Sequence, residues 1–135
     1  MSISHRGEVS IEFMFFVGII VLFFTFFLGI VGMKTNDVND STMFYEAQSL
    51  SDRIADEINI ATRFDGYYRE FNLPSKIMNS YDYTVLFHND IRMVEVRWGE
   101  DFSVLSTIMT GNVTGSVHAG KNSLKNENGV IVFEG

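Results

Sequence analysis

Hydrophobic and polar positions divide this chain into three textures. Residues Phe13 to Met33 read FMFFVGIIVLFFTFFLGIVGM, twenty-one positions without a charge. At about 1.5 Å per residue such a run covers roughly 31 Å as a helix, the thickness of a bilayer's hydrocarbon. A polar segment, TNDVNDST, follows Lys34, and a helical pattern then resumes with apolar residues at Phe44, Ala47, Leu50, Ile54, Ile58 and Ala61. Spacings of three and four draw one stripe down one face. Residues 8 to about 63 therefore read as one long helix, apolar throughout its first half, amphipathic in its second and loosened at 35–42. A stripe of 18 residues, about five turns, is too short for a sustained coiled-coil heptad, and Arg53 with Glu57 forms an i,i+4 surface pair.

From Phe64 the period falls to two. Tyr81, Tyr83, Val85 and Phe87 alternate with polar residues, as do Val94, Val96 and Trp98. The pattern predicts short strands at 68–73, 81–87, 93–98, 102–109, 113–118, 122–126 and 130–133. Turn signals separate them at His88-Asn89-Asp90, Trp98-Gly99-Glu100-Asp101 and Asn128-Gly129. The expected fold class is α+β: a long N-terminal helix carrying a small antiparallel sheet or sandwich head over 64–135, resting on the amphipathic half, with Trp98 in the core. Segments 8–33 and 34–63 are the apolar and amphipathic parts of the stem.

Composition narrows the function. A chain of 135 residues has room for one small head beyond the apolar run. Its net charge of −7, with ten scattered Lys and Arg, argues against a nucleic-acid partner. There is no cysteine, so the head must be held by packing without disulfides or thiolate metal sites. Arg6 lies before the apolar run and Asp37 and Asp40 after it, which places the N-terminus in the cytoplasm and the head outside.

The leader Met1-Ser2-Ile3-Ser4-His5-Arg6-Gly7 is followed by Glu8-Val9-Ser10-Ile11-Glu12-Phe13. In a secretory signal the apolar region precedes the cleavage site and is discarded; here it would be retained. A basic residue, a glycine, and then a retained apolar helix with Glu in its first turns resembles the class III signal peptide of type IV pilins, in particular archaeal pilins and pilin-like proteins. SDRIADEINIATR, VRWG, NVTG and NENGVI are similar, with less specificity, to the heads of small members. The resemblance implies a cleaved leader, 1–7, cut by prepilin peptidase between Gly7 and Glu8 with Arg6 and Gly7 as the recognition pair. It also implies an assembly role for Glu12, the fifth mature residue, and for Phe13. The implied product is a surface filament, a helical homopolymer made with an assembly ATPase and a membrane platform protein. Many archaeal members carry Gln where Glu8 stands. Glu8 places a second carboxylate four residues from Glu12, a like-charge spacing that costs about 0.2–0.5 kcal/mol.

Glu12 at the edge of the hydrocarbon should be paired or face protein. A free α-amino group on a neighbouring copy would pair with it; alternatively Glu8 and Glu12 sit in the interface and favour the positive end of the helix dipole. Gly18, Gly29 and Gly32 fit either ordinary membrane-helix composition or close helix packing. Removing Arg6 leaves nine basic against seventeen acidic side chains, a mature charge of −8. The run lacks the small, glycine-rich opening typical of archaellins, so adhesion is expected rather than swimming.

No catalytic constellation and no cofactor site is expected. His5, His88 and His118 lack ligand spacing, and Asp37, Asn39 and Ser41 start like a calcium loop whose sixth and twelfth positions, Thr42 and Gln48, do not continue it. The acidic clusters read as solvated surface. Asn39-Asp40-Ser41 and Asn112-Val113-Thr114 are sequons that would face outside, Asn112 reading equally as a turn residue. The alternatives to a pilin are an uncut, single-pass adhesin or sensor displaying the β head, an archaellin, or a secretion pseudopilin.

Overall fold

The structure, a computed structural model, describes the backbone of residues 5–135 and the side chains of residues 10–34 and 38–135. Helix α1 runs His5–Thr62 without interruption. The loosening expected at 35–42 is absent: polar residues in a helix interior each cost only a few tenths of a kcal/mol, and extending an existing helix is favourable. The chain divides into two compact units, Met1–Asp40 and Ser41–Gly135. The described residues of the first are helical; the second contains the rest of α1 and all the strands.

Helix α1 ends because Arg63, Phe64 and Asp65 lead into Gly66, whose φ of +76° a helix cannot continue. Its last carbonyls still need partners. Arg63 N–H donates to Ile60 and Phe64 N–H to Ala61. Asn126, far along the chain and 2% exposed, donates through Nδ2 to Ala61 O at 2.8 Å and Phe64 O at 3.1 Å, and accepts from Gly129 N. One strand side chain thus caps the helix and braces a hairpin.

Seven strands follow: β1 (Tyr68–Leu73), β2 (Tyr83–His88), β3 (Met93–Trp98), β4 (Phe102–Thr107), β5 (Val113–Gly115), β6 (Gly120–Glu127) and β7 (Val130–Glu134). They form a four-stranded sheet in the order β1-β6-β7-β5 and a three-stranded sheet in the order β2-β3-β4. The β6–β7 hairpin turns at Asn128-Gly129, with φ of 54° and 86°, the pair of left-handed conformations that a two-residue turn of this twist requires. β2 begins at Tyr83 rather than 81, Tyr81 forming an isolated bridge to Ile77.

The head departs from all-antiparallel pairing at one place. β5 runs parallel to β7, matching Val113 to Ile131 and Gly115 to Phe133. It is also shorter than expected, ending at 115 rather than 118. Gly115 has φ +90°, and a Cβ there would lie 2.1 Å from Phe133 O. The parallel approach therefore admits only glycine at this position, and the same kink ends the strand.

Both sheets and the amphipathic half of α1 contribute to one core. Ala47, Leu50, Ile54, Ile58 and Ala61, the stripe read from the sequence, are all buried, together with Leu73, Val94, Val96, Trp98, Leu124 and Ile131. Phe44, the stripe's first member, remains 42% exposed but packs edge-on against Trp98 (5.2 Å between centroids) and Phe102 (5.9 Å). Phe87 stacks on Phe133 at 5.1 Å and so joins the two sheets. Polar side chains of the helix meet the edge of the smaller sheet. Gln48 Nε2 donates to Ser106 Oγ at 3.1 Å, Ser106 Oγ donates to Asp52 at 2.6 Å, and Asn59 Oδ1 accepts from Met109 N at 2.7 Å. These contacts blunt β4 as an edge for stray strand pairing. Glu57 is buried and pairs with Arg69 of β1 at 3.3 Å instead of forming the expected surface pair with Arg53, because its turn of helix faces the sheet.

Substitution Gly115→Ala should destabilise the head by roughly 3 kcal/mol, through backbone strain and the clash with Phe133 O. Gly129→Ala, where φ is also positive but a Cβ meets nothing, should cost only about 1–2 kcal/mol. Denaturant unfolding of the full chain in detergent, followed by Trp98 fluorescence, checks the order; equal losses would contradict it. In the same assay Asn126→Ala should cost about 2–4 kcal/mol, since it leaves buried carbonyls at the helix end without donors.

Candidate functional site

From Ile11 to Met33 the first unit presents an apolar surface. Every large apolar side chain from Ile11 to Met33 is exposed, the least so being Val17 and Ile19 at 39% and the most Ile11, Phe15 and Met33 at 72%. Among the described residues, one helix is long and apolar enough to cross a membrane, and its apolar stretch is wholly uncovered. This suits the helix to anchoring in a bilayer. The contrast lies within one helix: Phe13 to Phe27 are exposed, whereas Ala47, Leu50, Ile54, Ile58 and Ala61 are buried. Thr25, the polar side chain in the middle of the run, donates its hydroxyl to Val21 O at 2.9 Å, so it brings no free donor into an apolar setting.

Glu12 stands exposed just before the run. It has no ion-pair partner among the described residues. It is the eighth residue of α1, beyond the first turn where the helix dipole is felt, so the dipole accounts for little of its placement in this form of the chain. Phe13 is 66% exposed. The side chains of Arg6 and Glu8, with Gly7 between them, lie outside the described residues, as does that of Asp37.

Both sequon asparagines are exposed. Asn39 sits within α1. Asn112 sits in the loop before β5, where its backbone carbonyl accepts from Ile131 N at 2.8 Å and its backbone N–H donates to Thr110 Oγ1 at 3.1 Å. Thr114, the third sequon residue, is the central residue of β5.

A second polar constellation escaped the sequence reading. Glu95 in β3 was expected on a solvated face, yet it is 6% exposed. His88 Nε2 lies 2.7 Å from Glu95 Oε2, and Arg97 donates to the same carboxylate at 3.1 Å. The His88 hydrogen bond, helped by Ser103 and Arg97, holds the Glu95 carboxyl below the usual carboxylate range despite the opposing effect of burial. Cross-strand register was the available signal: His88 and Arg97 are diagonal and i+2 neighbours of Glu95 on one face of the β2–β3 hairpin. Glu57, the other buried acid, has one oxygen on Arg69 and the other without a hydrogen-bond partner. Ser116 Oγ and His118 Nε2 lie 2.9 Å apart in an exposed loop. Among the described residues no group of three His, Cys, Asp or Glu is placed to hold a metal ion.

No protein-family model, no characterised protein and no solved structure matches this chain.

The lowered Glu95 carboxyl has a stability consequence with a definite sign. A depressed folded-state pKa stabilises the fold above the ordinary carboxyl value of 4.5, and that contribution disappears as pH falls through the folded value. Thermal unfolding of the wild type should therefore lose stability more steeply below pH 4.5 than that of Glu95→Gln. Parallel acid limbs for the two proteins would show that the cluster does not hold Glu95 ionised.

Proposed function

We propose that the chain is a structural subunit of a type IV pilus-like surface filament, made as a membrane precursor and polymerised through α1. The observation that carries the reading is the helix that is half buried under a head and half uncovered over twenty-one apolar residues. The leader motif at Arg6-Gly7 and the acid at Glu12 support it. In this account prepilin peptidase cuts after Gly7, the precursor rests in the cell membrane with its N-terminus cytoplasmic, and an assembly ATPase with a membrane platform protein moves subunits from lipid into the fibre. The head then lies at the surface for adhesion, with Asn112 and Asn39 as acceptors for glycans.

The chemistry of the step is exchange of one apolar environment for another. Burying a Phe side chain is worth about 1.5–3 kcal/mol, so the seven phenylalanines from Phe13 to Phe27 alone forbid release into water. Lipid and a bundle of like helices both satisfy them, which makes the transfer between the two nearly balanced and open to being driven. Cleavage adds a specific term. It creates an α-amino group, cationic at neutral pH with a reference pKa near 8, and leaves Glu12 four residues from that new end. The carboxylate of one copy then has a cation on its neighbour, in a setting that excludes water and strengthens the attraction.

Intact-mass measurement and N-terminal sequencing of the chain recovered from its own cells test this first. The filament subunit begins at Glu8; a chain beginning at Met1 or Ser2 is the uncut, single-pass anchor displaying its β head. Replacing Gly7 with a bulky residue should leave uncut chain in the membrane and abolish fibres. Glu12→Ala should still be cut and membrane-bound, with fibre yield reduced at least tenfold. Normal fibres from either variant would contradict the proposal.

A further inference from the structure

A cleft of about 500 Å³ lies in the head between α1 and the strap that joins β1 to β2, Pro74 to Asp82. Small-molecule sites usually measure about 300–1,000 Å³. Buried Leu50 and Ile77 form its floor, and Tyr45, Ser49, Arg53, Lys76 and Asn79 stand exposed around it. The strap is fixed at several points. Ile77 bridges to Tyr81, the Tyr83 hydroxyl donates to Pro74 O at 2.6 Å, and Met78 N donates across the cleft to Glu46 of α1 at 2.7 Å. Met78 and Asn79 have φ of 50° and 54°, the left-handed region that a side chain such as that of Met disfavours. Strain of this kind, held in place by surrounding bonds, gathers at binding sites.

The polar groups around the cleft are unused by the fold. Among the described residues, the side chains of Tyr45, Ser49, Arg53 and Asn79 make no hydrogen bond or ion pair. The acids within reach of Arg53 along α1 are engaged elsewhere: Glu46 with Met78 N, Asp52 with Ser106 Oγ and Glu57 with Arg69. Lys76 meets Asp82 at 3.5 Å, but the Asp82 side chain is 87% exposed, so the pair is a weak surface one. The cleft therefore combines an apolar floor, a Tyr45 ring that is 77% exposed, two cations and three neutral polar side chains with open valences.

We infer that this cleft binds a carboxylate-bearing saccharide, a sugar of the uronic-acid type. A guanidinium takes a carboxylate through two parallel hydrogen bonds, and the Lys76 ammonium adds a second cation beside it. Ring hydroxyls both donate and accept, as do Ser49, Tyr45 and Asn79. The C–H faces of a sugar ring cover the apolar floor and the Tyr45 ring. A wholly apolar ligand would strand the polar side chains, and a bare anion would leave the floor wet. The inference rests on the adhesive role proposed for the head and deepens it by naming a ligand class. Every residue it uses belongs to the second unit of the chain, so binding does not require polymerisation.

Calorimetric titration of the full chain in detergent micelles tests this with three probes. Trigalacturonate carries rings and charge, its methyl ester rings without charge, and triglutamate charge without rings. Trigalacturonate should bind saturably, and each of the other two at least tenfold more weakly. Arg53→Met should weaken trigalacturonate at least tenfold and Tyr45→Ala at least fivefold. Lys125→Met, which removes a cation paired with Glu127 on β6, should leave it unchanged. Tyr45 and Arg53 are exposed, so both variants should unfold at the wild-type denaturant midpoint, which separates lost binding from lost fold. No saturable binding up to about 10 mM, ten times a millimolar dissociation constant, overturns the inference. So does equal affinity for the ester or the peptide, or wild-type affinity in Arg53→Met. Failure to bind by chain that begins at Glu8 and lies in fibres removes the ligand and leaves the filament reading standing. Saturable binding by uncut chain from cells without fibres does the reverse.

Discussion

An α-helix whose apolar residues face outward on every side cannot be satisfied by its own chain. That constraint governs this protein. Ile11 to Met33 present their side chains to the surroundings, the polar backbone is closed within the helix, and the one hydroxyl in the middle is turned back onto a carbonyl. Such a segment has two stable environments, hydrocarbon tails or other helices like itself. A structure that places a folded, acidic β head on the same helix commits the molecule to a boundary, with one part dry and the other wet.

The head is the conventional part, and its construction shows how a short chain without disulfides achieves a single fold. The amphipathic half of α1 supplies one wall of the core, and two small sheets supply the others. Separate side chains do the joining: Asn126 caps the helix from β6, Asn59 and Gln48 hold the edge of the smaller sheet, and Phe87 on Phe133 connects one sheet to the other. Each buried polar group mentioned has its partner, except one oxygen of Glu57. Burying such groups with partners is close to neutral in energy, while removing a partner is not.

Much of this was legible from the pattern of residues. The stripe from Ala47 to Ala61, the alternation in β2 and β3, the Asn128-Gly129 turn and the burial of Trp98 follow from periodicity and turn chemistry, which are local. What escaped was tertiary. Gly115 reads as an ordinary glycine inside a strand over 113–118 until Phe133 O is brought beside it, and the parallel pairing it permits has no sequence signature in three residues. Glu57 and Glu95 look solvated because their partners, Arg69 and His88, lie in neighbouring strands. The helix through 35–42 was underrated since weak local propensity was weighed without the length of helix on either side. For the apolar unit the reverse holds. Its length, its lack of charge and the Arg6-Gly7 leader were all plain in the sequence.

On the reading offered, folding and assembly are separate problems solved by separate halves of one helix. The most direct measurement is an electron-microscope reconstruction of surface fibres from producing cells, with the main component identified by mass spectrometry. The account predicts fibres built of this chain, α1 helices packed in the interior from Phe13 to Met33 and β heads on the outside. Recovery of the chain only as isolated copies in the cell membrane, from cells with no such fibres, would contradict it.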